Sequence, residues 1–264
     1  MKRVAILVIS ALNQPVYRHY LSTYWTDLIR YTNEHVPHID VFLLKEHRQP
    51  SSPYQHLVDH VIEDPRSDFD DLLDQRHCAA GVPSVLSKTM HALDVLGDDY
   101  DVFFRTNLSS MVMLPAFDRH VQSNEQISYS GAWVWTDALR NDLVHHGRVG
   151  PERAVRSLDE LAGYPGNTFV SGSGFFLNAD EARTLVSQRG RAPWSFPDDV
   201  AVGLMLKHGT AIRGFAESID PEWPIAEGLR RIESTDAAHI RLTHFPVERA
   251  RALWRYLERG RPWE

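Results

Sequence analysis

Six consecutive apolar residues near the head of the chain, Val4-Ala5-Ile6-Leu7-Val8-Ile9, constrain its fold more than any other stretch. A run this short and uninterrupted suits a strand buried on both faces. Tyr17, Leu21, Tyr24, Leu28 and Tyr31 then recur at helical spacing, and Ile39 to Leu44 reads as a second strand. Two buried strands joined through a helix make the parallel β-α-β unit. The expected fold class is therefore α/β, with a mixed, mostly parallel central sheet flanked by helices. No repeat, low-complexity linker or break interrupts residues 1–264, so a single domain is expected.

The same run follows Lys2-Arg3, yet six residues fall far short of the roughly 20 that cross a bilayer. Polar Ser10, Asn13 and Gln14 follow it where a signal peptide would continue its apolar core. No later segment is long and apolar enough, so no integral membrane segment is expected. The lone Cys78 cannot form an internal disulfide, and a cytoplasmic location is the expectation. A net charge of −7 argues against general nucleic-acid binding but leaves room for a local basic pocket.

Further along, residues 46–80 are polar and acidic and read as loop and short helix. Ser84 to Leu96 reads as a helix capped by Ser84. After Asp99-Tyr100-Asp101, the apolar Val102-Phe103-Phe104 reads as a buried strand that stops at Arg105-Thr106-Asn107-Leu108-Ser109. Polar groups at the carboxyl end of such a strand lie where open α/β sheets bind ligands. Pro115 to Ser123 reads as a helix, Ile127 to Trp135 as a strand, and 137–165 as a substrate-side excursion. Thr168 to Leu177 reads as a strand interrupted by glycine, followed by a helix to about Gln188. A helix over Asp198 to His208, strands at 211–216 and 238–243, and a terminal helix from Val247 to Arg259 complete the reading.

Several groups are candidates for chemistry. Asp198-Asp199 opens a helix, so one carboxylate can cap it while the other faces a site. Pro193, Trp194, Phe196 and Pro197 form an apolar wall suited to raising a carboxylate pKa for a general base. Ser171-Gly172-Ser173-Gly174 lacks the spacing of a P-loop or dinucleotide loop, and close approach of a sugar to its backbone is the better reading. In a strand, His239 and Arg241 share one face and His244 takes the other. The pair could hold a diphosphate or lie on a solvated strand edge. Trp133 and Trp135 share a strand face, as core or as a stacking platform for a sugar ring.

The order of these segments over about residues 84–210 resembles that of GT-A glycosyltransferases, in particular the Fringe and β-1,3-galactosyltransferase group. The matching runs are Lys88-Thr89-Met90-His91-Ala92-Leu93 leading to Tyr100-Asp101-Val102-Phe103-Phe104-Arg105-Thr106, the glycine-rich Phe169-Val170-Ser171-Gly172-Ser173-Gly174-Phe175-Phe176-Leu177, and Asp198-Asp199-Val200-Ala201-Val202-Gly203. The resemblance implies a GT-A-like, Rossmann-like domain and inverting transfer of a hexose from a nucleoside diphosphate sugar to a hydroxyl acceptor, either a glycan or a small molecule. It implies that Asp199 is the base and Asp198 its capping, orienting neighbour, with Gly172, Ser173 and Gly174 letting a sugar approach.

One motif departs from that group. Its Asp-x-Asp metal site is replaced by Asn107-Leu108-Ser109, and a neutral amide and hydroxyl are poor ligands for Mg²⁺ or Mn²⁺. Metal-independent transfer with no cofactor beyond the donor sugar is the expectation. Arg105, Lys88, Arg241 and His239 or His244 would compensate the diphosphate, and Asn107 and Ser109 would hydrogen-bond the donor. Two other classes stay open. One is a non-catalytic carbohydrate- or nucleotide-sugar-binding protein on the same scaffold. The other is a nucleotidyltransferase, for which Ser10-Ala11-Leu12-Asn13-Gln14 lacks the basic, glycine-rich loop.

Overall fold

Alternation along the first strand decides how the chain is layered. The computed structural model describes residues 1–10, 12, 15–47, 49–65, 82–136, 168–194, 198–242 and 245–260. In chain order, β1 (Val4–Ile9), α1 (Pro15–Tyr20), a π-helical turn (Leu21–Trp25), α2 (Thr26–His35), β2 (Ile39–Glu46) and β3 (Val61–Asp64) come first. Then follow α3 (Val82–Leu96), β4 (Val102–Asn107), β5 (Ser110–Val112), α4 (Leu114–Ser123), β6 (Ser130–Gly131) and β7 (Val134–Thr136). The rest are β8 (Thr168–Val170), β9 (Gly174–Asn178), α5 (Ala179–Ser187), α6 (Asp198–Leu206), β10 (Thr210–Ala211), β11 (Ala216–Ser218), α7 (Ile225–Ser234), β12 (His239–Arg241) and α8 (Val247–Gly260).

Among the described residues, seven strands form the central sheet in the order β10-β6-β9-β4-β1-β2-β3, and of these β9 alone runs against the others. The fold is thus α/β with a mixed, mostly parallel sheet between helical layers. Every residue of β1 is buried, because successive side chains enter opposite cores. Val4, Ile6, Val8 and Phe104 join Tyr24, Trp25, Leu28, Phe117 and Trp254 on one side. Ala5, Leu7, Ile9 and Phe103 join Met90, Leu93, Leu185 and Leu204 on the other. Among the described residues, no helix is long and apolar enough to cross a membrane.

Local differences from the sequence reading have physical causes. Residues 46–80 contain a strand, β3, whose short half-exposed run lacks a strong period. Helix α3 starts at Val82, ahead of the expected cap Ser84. The expected strand Ile127 to Trp135 is split, and Trp133 falls before β7, outside the strand face assigned to it. Thr168 to Leu177 breaks at residues 171–173, where the chain leaves β8, paired with β7, and enters the central sheet as β9. Strand 211–216 resolves into β10 and β11, which belong to different sheets. Helix α7 was not anticipated. The helix expected at Tyr17 to Tyr31 contains the π-helical turn, whose widened spacing turns consecutive residues toward one element. The Tyr24 hydroxyl donates to Val112 O (2.7 Å) and accepts from Val112 N–H (2.6 Å), while Trp25 Nε1–H donates to Leu108 O (3.1 Å). The excursion at 137–165, together with Cys78, Phe196, Pro197 and His244, lies outside the described residues, as does the side chain of Trp135.

Helix α6 crosses β8 closely. A Cβ on Gly203 would sit 2.5 Å from Phe169 Cβ and 2.8 Å from Thr168 O, with no flexible tip to yield. Gly203→Ala is therefore expected to destabilise the fold by about 1–3 kcal/mol through overpacking. The urea midpoint should fall accordingly, and an unchanged midpoint would contradict this packing.

Candidate functional site

β4 delivers alternate residues to opposite faces of the sheet, and its last charged side chain meets the head of α6. Arg105 shares the face of Phe103, where its guanidinium lies over the Phe175 ring, 5.5 Å from the centroid. Its Nη1 donates to Gly172 O, and its Nη2 pairs with Asp198 Oδ2 at 2.5 Å. Asn107, two residues on and on the same face, donates from Nδ2 to the same Gly172 O at 2.8 Å. From the other side, Asp199 Oδ2 accepts the Gly172 N–H at 3.0 Å, and its Oδ1 accepts the Val200 N–H at 3.0 Å. The peptide groups of Gly172 are thus gripped from both ends. A Cβ there would stand 3.2 Å from Asp199 Oδ2 and 3.3 Å from Arg105 Nη1, which is why glycine occupies the position.

The two carboxylates of α6 differ in surroundings. Burial pushes Asp198 up to about 6, with Asp199 adding to the rise and Arg105 opposing it. Asp199 spends both oxygens on backbone amides, the arrangement of an anchor. Asp199 is thus held on backbone amides, whereas Asp198 faces the arginine. Lys88 of α3 is 1% exposed, and its Nζ donates to Glu46 Oε1 at 2.9 Å. Burial lowers its pKa, while Glu46 raises it and Arg105 lowers it further. Each of the two cations is thus paired with a carboxylate of the fold, Lys88 with Glu46 and Arg105 with Asp198.

The opposite face of β4 carries Thr106, whose hydroxyl donates to Ser173 O (3.1 Å) and meets His239 Nε2 (3.0 Å). His239 is 1% exposed, stacked on Phe215 and edge-on to Phe104. Burial, helped by Arg241, lowers its pKa to about 3, so the ring is neutral. The expected phosphate-facing pair of His239 and Arg241 is corrected accordingly: the histidine is a core residue tying β12 to β4, and Arg241 is half-buried beyond it. Gly174 packs against that histidine, since a Cβ would lie 2.9 Å from Phe104 Cζ and 3.0 Å from His239 Cε1. At both Gly172 and Gly174 the place of a side chain is filled by the protein's own side chains, and Gly172 itself is half-buried.

Of the other expected residues, Ser173 is buried, with its Oγ 3.2 Å from Ser171 Oγ. Ser109 is buried in the β4–β5 turn, its carbonyl accepting the Leu242 N–H at 2.7 Å. Trp133 is half-buried and accepts the Ser171 N–H on its carbonyl at 2.8 Å, so it holds the loop through its backbone. The structure thus brings Lys88, Arg105, Asn107, Gly172, Asp198 and Asp199 together and leaves His239 and Arg241 on the small sheet behind. Sequence reading missed Glu46, the ion-pair partner of Lys88, and Tyr129, whose hydroxyl ends beside Asp199. The apolar Leu43-Leu44 before Lys45-Glu46 was the one signal for the first, a strand end like that of β4; nothing local marks the second. Among the described residues, no three His, Cys, Asp or Glu side chains are grouped to hold a metal ion. At 107–109 the amide is turned to Gly172 and the central residue is a buried leucine, a donor set that does not fit a hard divalent cation.

A mixed α/β sheet with a buried arginine–carboxylate cluster at the carboxyl ends of its parallel strands is the class this geometry defines. No protein-family model and no curated protein matches the sequence. Solved structures similar in chain course include a glycosyltransferase involved in the glycosylation of the major capsid of PBCV-1, at TM-score 0.46 and 12% identity, over 95% of this chain and 98% of that one. Mouse xyloside xylosyltransferase 1 is similar at TM-score 0.46 and 9% identity, over 92% and 98%. The galactosyltransferase LgtC is similar at TM-score 0.49 and 12% identity, over 96% and 95%. At these scores and identities the likeness carries no argument about activity.

Proposed function

We propose that this chain is a GT-A-like glycosyltransferase that moves a sugar from a nucleoside diphosphate sugar to a hydroxyl acceptor. The observation that carries this reading is the cluster of Arg105, Asn107, Gly172, Asp198 and Asp199, drawn from three distant segments to the carboxyl end of β4. Asp198, with its raised pKa of about 6, is the base. Its carboxylate takes the acceptor hydroxyl proton as the acceptor oxygen bonds the anomeric carbon. The bond from that carbon to the phosphate oxygen breaks, and the nucleoside diphosphate leaves with the electron pair, inverting the centre. Protonation removes the anion paired with Arg105, so its charge becomes available as negative charge builds on the diphosphate. The chemistry of the donor set at 107–109 supports transfer without a metal, and Ser109 remains a group for the donor sugar or phosphate.

Mass spectrometry of a nucleotide-sugar panel with hydroxyl acceptors, run with and without chelator, tests the reading. One donor is expected to be consumed at equal rate in both conditions. Loss of transfer in chelator with recovery on adding Mn²⁺ would overturn the metal-independent part. Tight donor binding without turnover would replace the enzyme by the binding-protein reading.

A further inference from the structure

Tyr129 is fully buried ahead of β6, far in sequence from the acidic pair, yet its hydroxyl ends at the base of the cluster. It donates to Asp199 O at 3.3 Å and accepts the Val170 N–H at 2.8 Å. That one oxygen bridges the head of α6 to the end of β8, immediately before the loop whose Gly172 amide Asp199 holds. The anchor is itself tied down. The Tyr129 N–H donates to Glu181 Oε1 at 2.9 Å, the same oxygen that His208 Nε2 meets at 2.8 Å, and Glu181 Oε2 accepts the Asn178 N–H at 3.0 Å. The ring packs edge-on against Phe175, the residue beneath the Arg105 guanidinium. Phenol, helix head and loop therefore form one closed frame around Arg105 and the two carboxylates.

We propose that Tyr129 is a positioning residue for the acidic pair: its hydroxyl sets the separation between the head of α6 and the 171–173 loop, and through it the placement of Asp198 against Arg105. Apolar packing alone would hold the ring, whereas a hydroxyl with two backbone partners fixes a distance. A buried oxygen so used is replaced by phenylalanine only at the expense of an unsatisfied Val170 N–H. Small displacements of reacting groups cost rate steeply, up to about a hundredfold for about 1 Å. The proposal deepens the sugar-transfer reading, and only its activity readout rests on it.

The test compares Tyr129→Phe with Tyr24→Phe in the full chain. Tyr24 is a matched control, because its buried hydroxyl also bridges a backbone N–H and a carbonyl, those of Val112, outside the cluster. Carbon-13 labelling of aspartate carboxyls, with the Asp198 signal assigned from Asp198→Asn, follows titration without needing turnover. Arg105 and Asp199 are the charged groups that face Asp198 among the described residues, and both are unaltered. Tyr129→Phe is expected to let water reach the loosened head, bringing the Asp198 midpoint down toward the ordinary carboxylate range. On the identified donor, kcat is expected to fall about tenfold with donor KM unchanged. Tyr24→Phe is expected to lower Tm comparably and leave midpoint and kcat alone. Glu181→Gln, which weakens the same anchor from behind while keeping the phenol, should move the midpoint the same way by less. It serves as the second variant if Tyr129→Phe does not fold. An unmoved Asp198 midpoint in the folded variant overturns the proposal whatever the turnover. A moved midpoint in a protein inactive on every donor upholds the positioning role and overturns the sugar-transfer reading instead.

Discussion

Asp198→Asn is expected to lower kcat by about 10²–10⁴-fold, the usual contribution of a positioned general base, with the fold retained. The amide keeps the shape of the side chain and cannot take the acceptor proton. The same assignment fixes the pH dependence. With the carboxyl pushed up to about 6, turnover should fall as pH drops through about 6, where an ordinary carboxylate base would hold to about pH 4. Folding responds in the opposite sense. The folded carboxyl binds its proton more tightly than the unfolded one, so this group makes the fold less stable as pH rises from about 4 to about 6. Asp199→Asn is the comparator, because it disturbs the grip on the Gly172 N–H. If Asp199→Asn abolished turnover while Asp198→Asn retained it, the roles would revert to those implied by the family resemblance.

The second large effect lies away from the chemistry. His239 is buried and neutral, its pKa lowered from 6.5 to about 3, and the unfolded chain has no such restraint. Below about pH 6.5 the unfolded state takes up a proton that the folded state refuses, so stability is lost as pH falls toward 3. By about pH 3.5 this one group accounts for about 4 kcal/mol of lost stability. Urea unfolding followed from neutral pH to about pH 3.5 measures it. His239→Gln keeps a hydrogen-bonding group near Thr106 but cannot titrate, so its curve should be shallower by up to one proton, about 1.4 kcal/mol per pH unit. Parallel curves for the two proteins would refute the burial-driven shift.

Much of the frame was legible in the sequence because it rests on local patterns. Val4 to Ile9, Ile39 to Leu44 and Val102 to Phe104 are apolar runs, and they became the adjacent parallel strands β1, β2 and β4. The helix expected after Leu177 became α5, whose start the structure closes with a capping box between Asn178 and Glu181. Asp198 and Asp199 opened a helix as expected. Short strands were harder, since β3 and β10 have few residues to display a period and depend on their neighbours for pairing. The π-helical turn keeps the apolar spacing of a helix to within one residue, so its presence was invisible.

The site divides along the same line. Arg105, Asn107, Gly172, Asp198 and Asp199 were recognisable as polar or small residues at element ends, where a sheet leaves groups unpaired. Which of them would pair was not recognisable. Arg105 could have faced solvent or a ligand; its ion pair with Asp198 depends on α6 arriving beside the end of β4. His239 reads as a charged strand residue and became a neutral core residue because β12 packs it between Phe104 and Phe215.

The sequence by itself determined the layered α/β architecture, through hydrophobic periods that each segment carries alone. Only the tertiary structure decided the partners of Lys88 and Arg105 and the shifted titration of Asp198 and His239. Those depend on burial and on distances between segments as much as 133 residues apart in order, as between Thr106 and His239. Desolvation and Coulomb energy are properties of surroundings, and surroundings exist only once the chain has folded.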